Sequence, residues 1–174
     1  PVVLKIISPQ VLHKSDAGGV LIDIKDEAGV REGYKTILEN VKVHAPDAEI
    51  TGILVQEMAP WGTEVIVGST KDPTFGATLM FGLGGIFVEI LNDVSFRLAP
   101  IDRSDAEDMV REIKAYKILE GVRGKPPSDK EAIIEILLKT SDMLVECPEI
   151  SELDMNPVLV YEEGAKVVDA RIIL

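Results

Sequence analysis

Leu153-Asp154-Met155-Asn156-Pro157 and, further on, Val167-Val168-Asp169-Ala170-Arg171 flank Glu162-Glu163-Gly164 near the end of the chain. The apolar runs Pro157 to Tyr161 and Ala165 to Ile173, on either side of a glycine-bearing turn, read as a terminal hairpin. Asp154 and Asn156 are two apart on an extended chain, so they point to one face. If the hairpin closes at Glu162 and Ala165, Asp169 stands opposite Val158 and diagonal to Asn156, roughly 7–8 Å away at the backbone. A hard cation fits between Asn156 and Asp169. Oxygen donors without His or Cys suit Mg²⁺ shared with nucleotide phosphates. The same residues are also ordinary turn chemistry, with Asp169 a solvated charge on an edge strand.

Working outward from this hairpin, the pattern is one of strands in groups separated by helices. Val2 to Ile7 is β-branched and apolar, a polar glycine-bearing stretch covers Ser8 to Gly19, and a short strand follows at Val20 to Lys25. Val30, Tyr34, Ile37 and Val41 fall at helical spacing, which predicts a helix from Glu27 to His44 that stops before Pro46. Strands are expected at Glu49 to Met58, Thr63 to Ser69, Ala77 to Gly82, Val94 to Leu98 and Ile150 to Leu153. Ser104-x-x-Glu107 and Ser128-x-x-Glu131 read as capping boxes opening two more helices, separated by the turn Gly124-Lys125-Pro126-Pro127. Without regular βαβ alternation, the expected class is α+β with mostly antiparallel pairing.

Composition narrows the function. A length of 174 residues suits one compact domain or a piece of a larger one. With Asp+Glu at 30 against Lys+Arg at 18, a net charge of -12 repels a nucleic-acid backbone or an anionic membrane, although a few local cations and amides can still hold one phosphate. Cys147 is the only cysteine, so an internal disulfide and a multi-cysteine metal cluster are ruled out, and a reducing cytoplasmic setting is expected. The apolar run Ala77 to Val88 is broken by Gly82, Gly84 and Gly85 and is too short to span a bilayer. The scarcity of Asn and Gln beside abundant Glu and Lys points weakly to a thermophilic source.

Three further constellations could carry chemistry. His13-Lys14-Ser15-Asp16-Ala17-Gly18-Gly19 offers a nucleophilic imidazole, a cation for phosphate charge and glycines that permit close approach or movement, as a phosphohistidine carrier requires. It equally fits an ordinary surface loop. Val55-Gln56-Glu57-Met58 leaves a strand toward Pro60, where backbone groups could meet an adenine edge and carboxylates such as Glu64 the ribose, or it is a plain strand corner. Phe81-Gly82-Leu83-Gly84-Gly85 lacks the Gly-Lys-Ser/Thr ending of a phosphate-binding P-loop and, with Phe at 87, the dinucleotide-binding glycine spacing. Close packing and a phosphate-facing loop both remain open. His44, at a helix C-terminus, reads as structural.

Taken in order, these segments resemble the ATP-grasp domain of NDP-forming acyl-CoA synthetases, in particular the β subunit of the ADP-forming acetyl-CoA synthetases. The resemblance rests on Pro1-Val2-Val3-Leu4-Lys5, His13-Lys14-Ser15-Asp16 through Val20, Val55 to Met58, Phe81 to Gly85, Leu153 to Pro157 and Val168 to Arg171. It implies an ATP-grasp fold lacking an N-terminal portion, since family members carry sequence upstream of the strand where this chain begins. It also implies the reversible reaction acyl-CoA + ADP + phosphate to acid + CoA + ATP through phosphohistidine, in a hetero-oligomer with a CoA-binding subunit or domain. On this resemblance His13 is the phosphoryl carrier and Asp154 stabilises its imidazole. Lys5, Val55, Gln56, Glu57, Met58 and Glu64 bind nucleotide, and Asn156 with Asp169 holds Mg²⁺. The other class of function in play is a regulatory or scaffold module built on the same domain without turnover.

Overall fold

The computed structural model describes residues 1–174 apart from 12, 86, 87, 89, 90 and 123. The chain divides into two units, Pro1–Pro60 and Trp61–Leu174. The Phe at 87 that excludes the dinucleotide motif lies outside the described residues.

In the first unit, strands β1 (Val2–Ile7), β2 (Val20–Ile24) and β3 (Gly52–Glu57) form an antiparallel sheet in the order β2-β1-β3, joined by helix α1 (Glu27–His44). The helix occupies the predicted residues. It opens where the Asp26 side chain accepts the Gly29 N–H at 2.8 Å and stops at Ala45, because proline at 46 disfavours helical backbone in the residue before it. Its inner face carries Gly33, Ile37 and Val41 at four-residue spacing. Leu4 and Ile6 of β1 meet this face, and Val11 and Ala17 of the β1–β2 loop complete the buried cluster.

The second unit is a six-stranded sheet, with β4 (Thr63–Asp72), β5 (Gly76–Leu83), β6 (Val94–Leu98), β7 (Glu152–Val160), β8 (Ala165–Val167) and β9 (Ala170–Ile173). Among the described residues the path runs β6-β5-β4-β7-β8, with β9 also on β7 and every pair antiparallel. Helices α2 (Arg103–Glu112) and α3 (Lys130–Glu146) cover one face, where Ala106, Met109, Ile133 and Leu137 pack on Val65, Val67, Leu79, Phe81, Val158 and Val160. Completely buried side chains of this size contribute about 1.5–3 kcal/mol each, which makes this layer the main source of the unit's stability.

Three local expectations are corrected. The capping boxes are not at Ser104 and Ser128. Asp102 caps α2, exchanging side-chain and backbone bonds with Asp105, and Asp129 caps α3 by accepting the Ala132 N–H at 3.0 Å. Ser128 is instead buried, with its hydroxyl donating to Thr63 Oγ1 at 2.9 Å. Second, Ile150 to Leu153 and Pro157 to Tyr161 are not separate strands, since β7 runs from Glu152 to Val160 through the proline. The ladder shifts register between Val65 and Val67, so Asn156-Pro157 sits in an irregularity where β4 requires no donor from proline. Third, the last strand is broken in two around Val168 and Asp169.

A candidate phosphoryl-transfer site in two parts

The first unit carries Lys5, His13 and Val55 to Met58. Lys5 is in the middle of β1, paired with Val20 and Leu54. Because Leu4 and Ile6 point to α1, Lys5 lies on the opposite sheet face, and Gln56, opposite Val3, shares that face. Val55 and Glu57, paired with Leu4 and Val2, belong to the α1 side, so the sheet divides the proposed adenine-binding segment between two faces. Met58 ends it, donating its N–H to the Pro1 carbonyl at 3.2 Å, two residues before the division between units.

His13 is exposed at the start of a compact turn that links β1 to β2. The backbone bonds Ala17 to the His13 carbonyl, Gly18 to that of Ser15 and Gly19 to that of Lys14, at 3.3, 3.0 and 2.7 Å, fold the seven residues onto themselves. Val11 before the turn and Ala17 within it are sunk into the first unit's core. His44 has the structural role expected of it: its Nδ1–H donates to the Asn40 carbonyl at 2.8 Å, closing the last turn of α1.

The second unit carries Glu64, Asp154, Asn156 and Asp169. Before the irregularity Leu153 and Met155 face the helices, which sends Asp154 and Asn156 to the other side of the sheet; beyond it Val158 and Val160 take over the core positions. Glu64, next to Val65 on β4, is exposed on that same helix-opposite side. The hairpin register differs from the one expected. It closes at Tyr161, whose N–H donates to the Gly164 carbonyl at 3.0 Å, and Val160 pairs with Ala165, Val158 with Val167 and Met155 with Ala170. Carried through the break, this register sets Asp169 directly opposite Asn156. The Asn156 N–H donates to the Asp169 carbonyl at 3.2 Å, and Val168 donates to Pro157. Directly opposed Cβ atoms lie about 4.5–5.5 Å apart, closer than the diagonal expected from the sequence.

Asp129 ties this turn to α3: its N–H donates to the Tyr161 carbonyl at 2.7 Å and its carboxylate accepts the Gly164 N–H at 2.7 Å. The Gly164 and Ala132 amides together hold the Asp129 carboxyl below the usual carboxylate range.

Two neighbours missed in the sequence complete this face. Arg171 is the ladder partner of Asp154 and reaches Glu152, two residues along β7, at 3.4 Å. The alternation Asp169-Ala170-Arg171 beside Asp154 and Asn156 was the available signal. The Asn156–Asp169 pair supplies only hard oxygen donors. Among the described residues no three His, Cys, Asp or Glu side chains converge as a closed metal cage. Such a pair suits Mg²⁺, which keeps waters and takes further oxygens from substrate phosphates. In the glycine-rich segment, close packing is the function of two residues. A Cβ at Gly82 would be 2.9 Å from the Asp93 carbonyl, and one at Gly84 would be 3.0 Å from Glu64 Cβ. The Gly84 N–H donates to the Glu64 carbonyl at 2.8 Å, fixing the backbone beside that carboxylate.

The model of the ATP-grasp domain matches residues 1–174. The β subunit of acetate–CoA ligase [ADP-forming] I of Pyrococcus furiosus is 55% identical over 174 residues, 100% of this chain and 75% of that one. Acetate–CoA ligase [ADP-forming] I of Archaeoglobus fulgidus is 51% identical, and the match covers 100% of this chain but 25% of that longer protein. Among solved structures, the dinucleotide forming acetyl-coenzyme A synthetase 1 of Ca. Korarchaeum cryptofilum, in complex with coenzyme A and Mg-AMPPCP and with its phosphohistidine segment pointing towards the nucleotide binding site, superposes with a TM-score of 0.83 at 53% identity, covering 100% of this chain and 76% of that one. The relatives thus occur both as separate β subunits and as longer single chains. The full-length family match, the antiparallel sheets and these identities agree: this chain belongs to the ATP-grasp domain of the ADP-forming acetate–CoA ligase family.

Proposed function

We propose that this chain is the nucleotide-binding part of an ADP-forming acyl-CoA ligase and that His13 relays the phosphoryl group. The observation that carries the reading is the helix-opposite face of the second unit, where Asn156 and Asp169 are directly opposed one row from Asp154. A face so composed can meet a nucleotide's phosphates and a basic imidazole at once. In the ATP-forming direction a CoA-binding α subunit or domain forms an acyl phosphate and supplies the phosphoryl group to His13. A ring nitrogen of His13 then carries it as an N–P bond. An oxygen of the ADP β-phosphate attacks phosphorus, the new P–O bond forms as the N–P bond breaks, and the imidazole returns to its starting state.

The remaining residues position these reactants. Asp154 orients the imidazole and stabilises its charged form, as a carboxylate does for a catalytic histidine. Lys5 draws nucleotide phosphate, while the backbone of Val55, Gln56, Glu57 and Met58 meets the adenine and Glu64 the ribose hydroxyls. Asn156 and Asp169 would hold Mg²⁺, which when bound neutralises phosphate charge. The partner is expected as a separate chain in a heterotetramer or as a fused domain, since the relatives occur in both forms. Incubating the complete complex with ATP labelled on the γ-phosphate should mark His13. A complex that turns over with His13 unlabelled overturns the reading.

A further inference from the structure

Gly68 stands in the interior of β4, a ten-residue strand paired on both sides. A glycine there weakens the strand, because it has no side chain to pack and more chain freedom to lose. Its φ lies outside the left-handed region, so the backbone does not require glycine. What the position requires is the absence of a side chain. Val65 and Val67 face the helices, which sends Gly68 to the opposite face of the sheet, the face that carries Glu64, Asp154 and Asn156.

The pairing builds one row across that face. Gly68 is the ladder partner of Met80 on β5 and of Asp154 on β7, Met80 in turn pairs with Phe96 on β6, and Asp154 with Arg171 on β9. Phe96 and Met80 are apolar, Asp154 and Arg171 are charged, and Gly68 is the border between the two halves. Phe96 is 52% exposed and Met80 half-buried, so the apolar half is a surface and not core. The end of Met80 leans into the notch that glycine leaves: a Cβ on Gly68 would lie 3.2 Å from Met80 Cε and 3.4 Å from the Leu153 carbonyl. The thioether therefore reaches across from β5 toward β7 and lays an apolar floor beside the Asp154 strand.

We propose that Met80, lying across Gly68, is the seat on which the carrier imidazole rests while Asp154 holds its ring N–H. The proposal deepens the reading of Asp154 as the group that orients the imidazole, and it rests on that reading. An imidazole has two requirements that this row meets together. Its ring face takes an apolar, polarizable neighbour, for which a thioether is suited, and its edge N–H takes a carboxylate. Asn156 follows Asp154 by two residues, about 7 Å along β7, so a seated ring has the Asn156–Asp169 pair one row away, on the side of Glu64. Along the face the order is then ribose ligand, metal ligands, imidazole seat. That is the order in which an ADP β-phosphate held at the metal meets a ring nitrogen.

The test uses the complete enzyme with its CoA-binding partner and ATP labelled on the γ-phosphate in a single turnover, with ADP affinity and melting temperature measured on the same samples. Met80→Ala should slow labelling of His13 about tenfold, the upper range of what a sulfur–aromatic contact supplies, and Met80→Leu, which keeps an apolar floor, only about twofold. Gly68→Ala should slow it about threefold by displacing the Met80 methyl, with a melting temperature at or above the wild type's, since the nearer neighbour is the flexible end of a side chain and alanine is the better strand residue. The affinity for ADP should be unchanged in all three. Labelling at the wild-type rate in Met80→Ala or in Gly68→Ala overturns the seat. So does a loss of ADP affinity with labelling unchanged at saturating nucleotide, which would give the floor to the base. A wild type in which His13 takes no label refutes the carrier reading, and the seat with it.

Discussion

The His13 turn and the β7–β9 ladder hold their chemistry by opposite means. In the turn, three backbone bonds fold His13 to Gly19 onto itself, the Gly19 carbonyl accepts the Ile6 N–H, and Asn40 of α1 donates to the Gly18 carbonyl. In the ladder, Asp154 and Asn156 ride on β7, which lies between β4 and the β8–β9 edge, and Asp169 sits in the break of that edge, which keeps register with β7. Local opening costs least where few long-range contacts must be broken, so a strand paired along its length is firmly fixed. The proposed metal ligands belong to the ladder and the proposed carrier to the turn.

The largest test of this contrast is His13→Asn, which should bring acyl-CoA synthetase turnover to background and remove the label from ATP while leaving the melting temperature unchanged. Retained activity would remove the turn from the mechanism. Asp169→Ala should raise the Mg²⁺ concentration needed for half-maximal ADP use by at least about tenfold, because one charge close to a cation is worth several kcal/mol even at an effective dielectric near 20. A metal response equal to the wild type's would leave the ladder a structural feature.

Gly19→Ala probes the turn sterically. A Cβ there would lie 2.5 Å from Ile6 Cγ2 and 3.0 Å from the Lys14 carbonyl, and neither can yield without moving β1 or the turn. Denaturant unfolding should show a loss of about 1–3 kcal/mol, as for other overpacked sites, confined to the first unit. Asp129→Ala probes the ladder's far end and should cost about 1 kcal/mol through the lost helix cap. Because folding lowers the Asp129 pKa, its contribution is complete above the ordinary carboxylate pKa of about 3.9 and is lost as pH falls through the lower folded value. The stability gap between wild type and variant should therefore close on acidification below about pH 4. A constant gap would show that the carboxylate's charge is not what pins the hairpin.

Both regions were legible in the sequence to different depths. Helix α1 kept its predicted residues because its signals are local: an aspartate cap, four-residue apolar spacing and Pro46. The shared face of Asp154 and Asn156 followed from strand periodicity, which holds wherever the chain is extended. The capping boxes failed because serine and glutamate at the right interval describe many non-caps, and aspartates two residues before Ser104 and one after Ser128 took the role. The position of Arg171 beside Asp154 required the register to be known first.

By itself, then, the sequence determined the elements, their α+β arrangement and the residue types that suit phosphate, Mg²⁺ and an imidazole carrier, because those depend on near neighbours along the chain. The tertiary structure decided which of them oppose one another. The hairpin register that pairs Asn156 with Asp169 closes at Tyr161 and Gly164, and Asp129, on the cap of α3, bonds both of those residues. Asn40 likewise came to the Gly18 carbonyl only when α1 folded over β1. These are long-range hydrogen bonds, and no local period announces such a bond because its two ends are fixed by the packing of other residues.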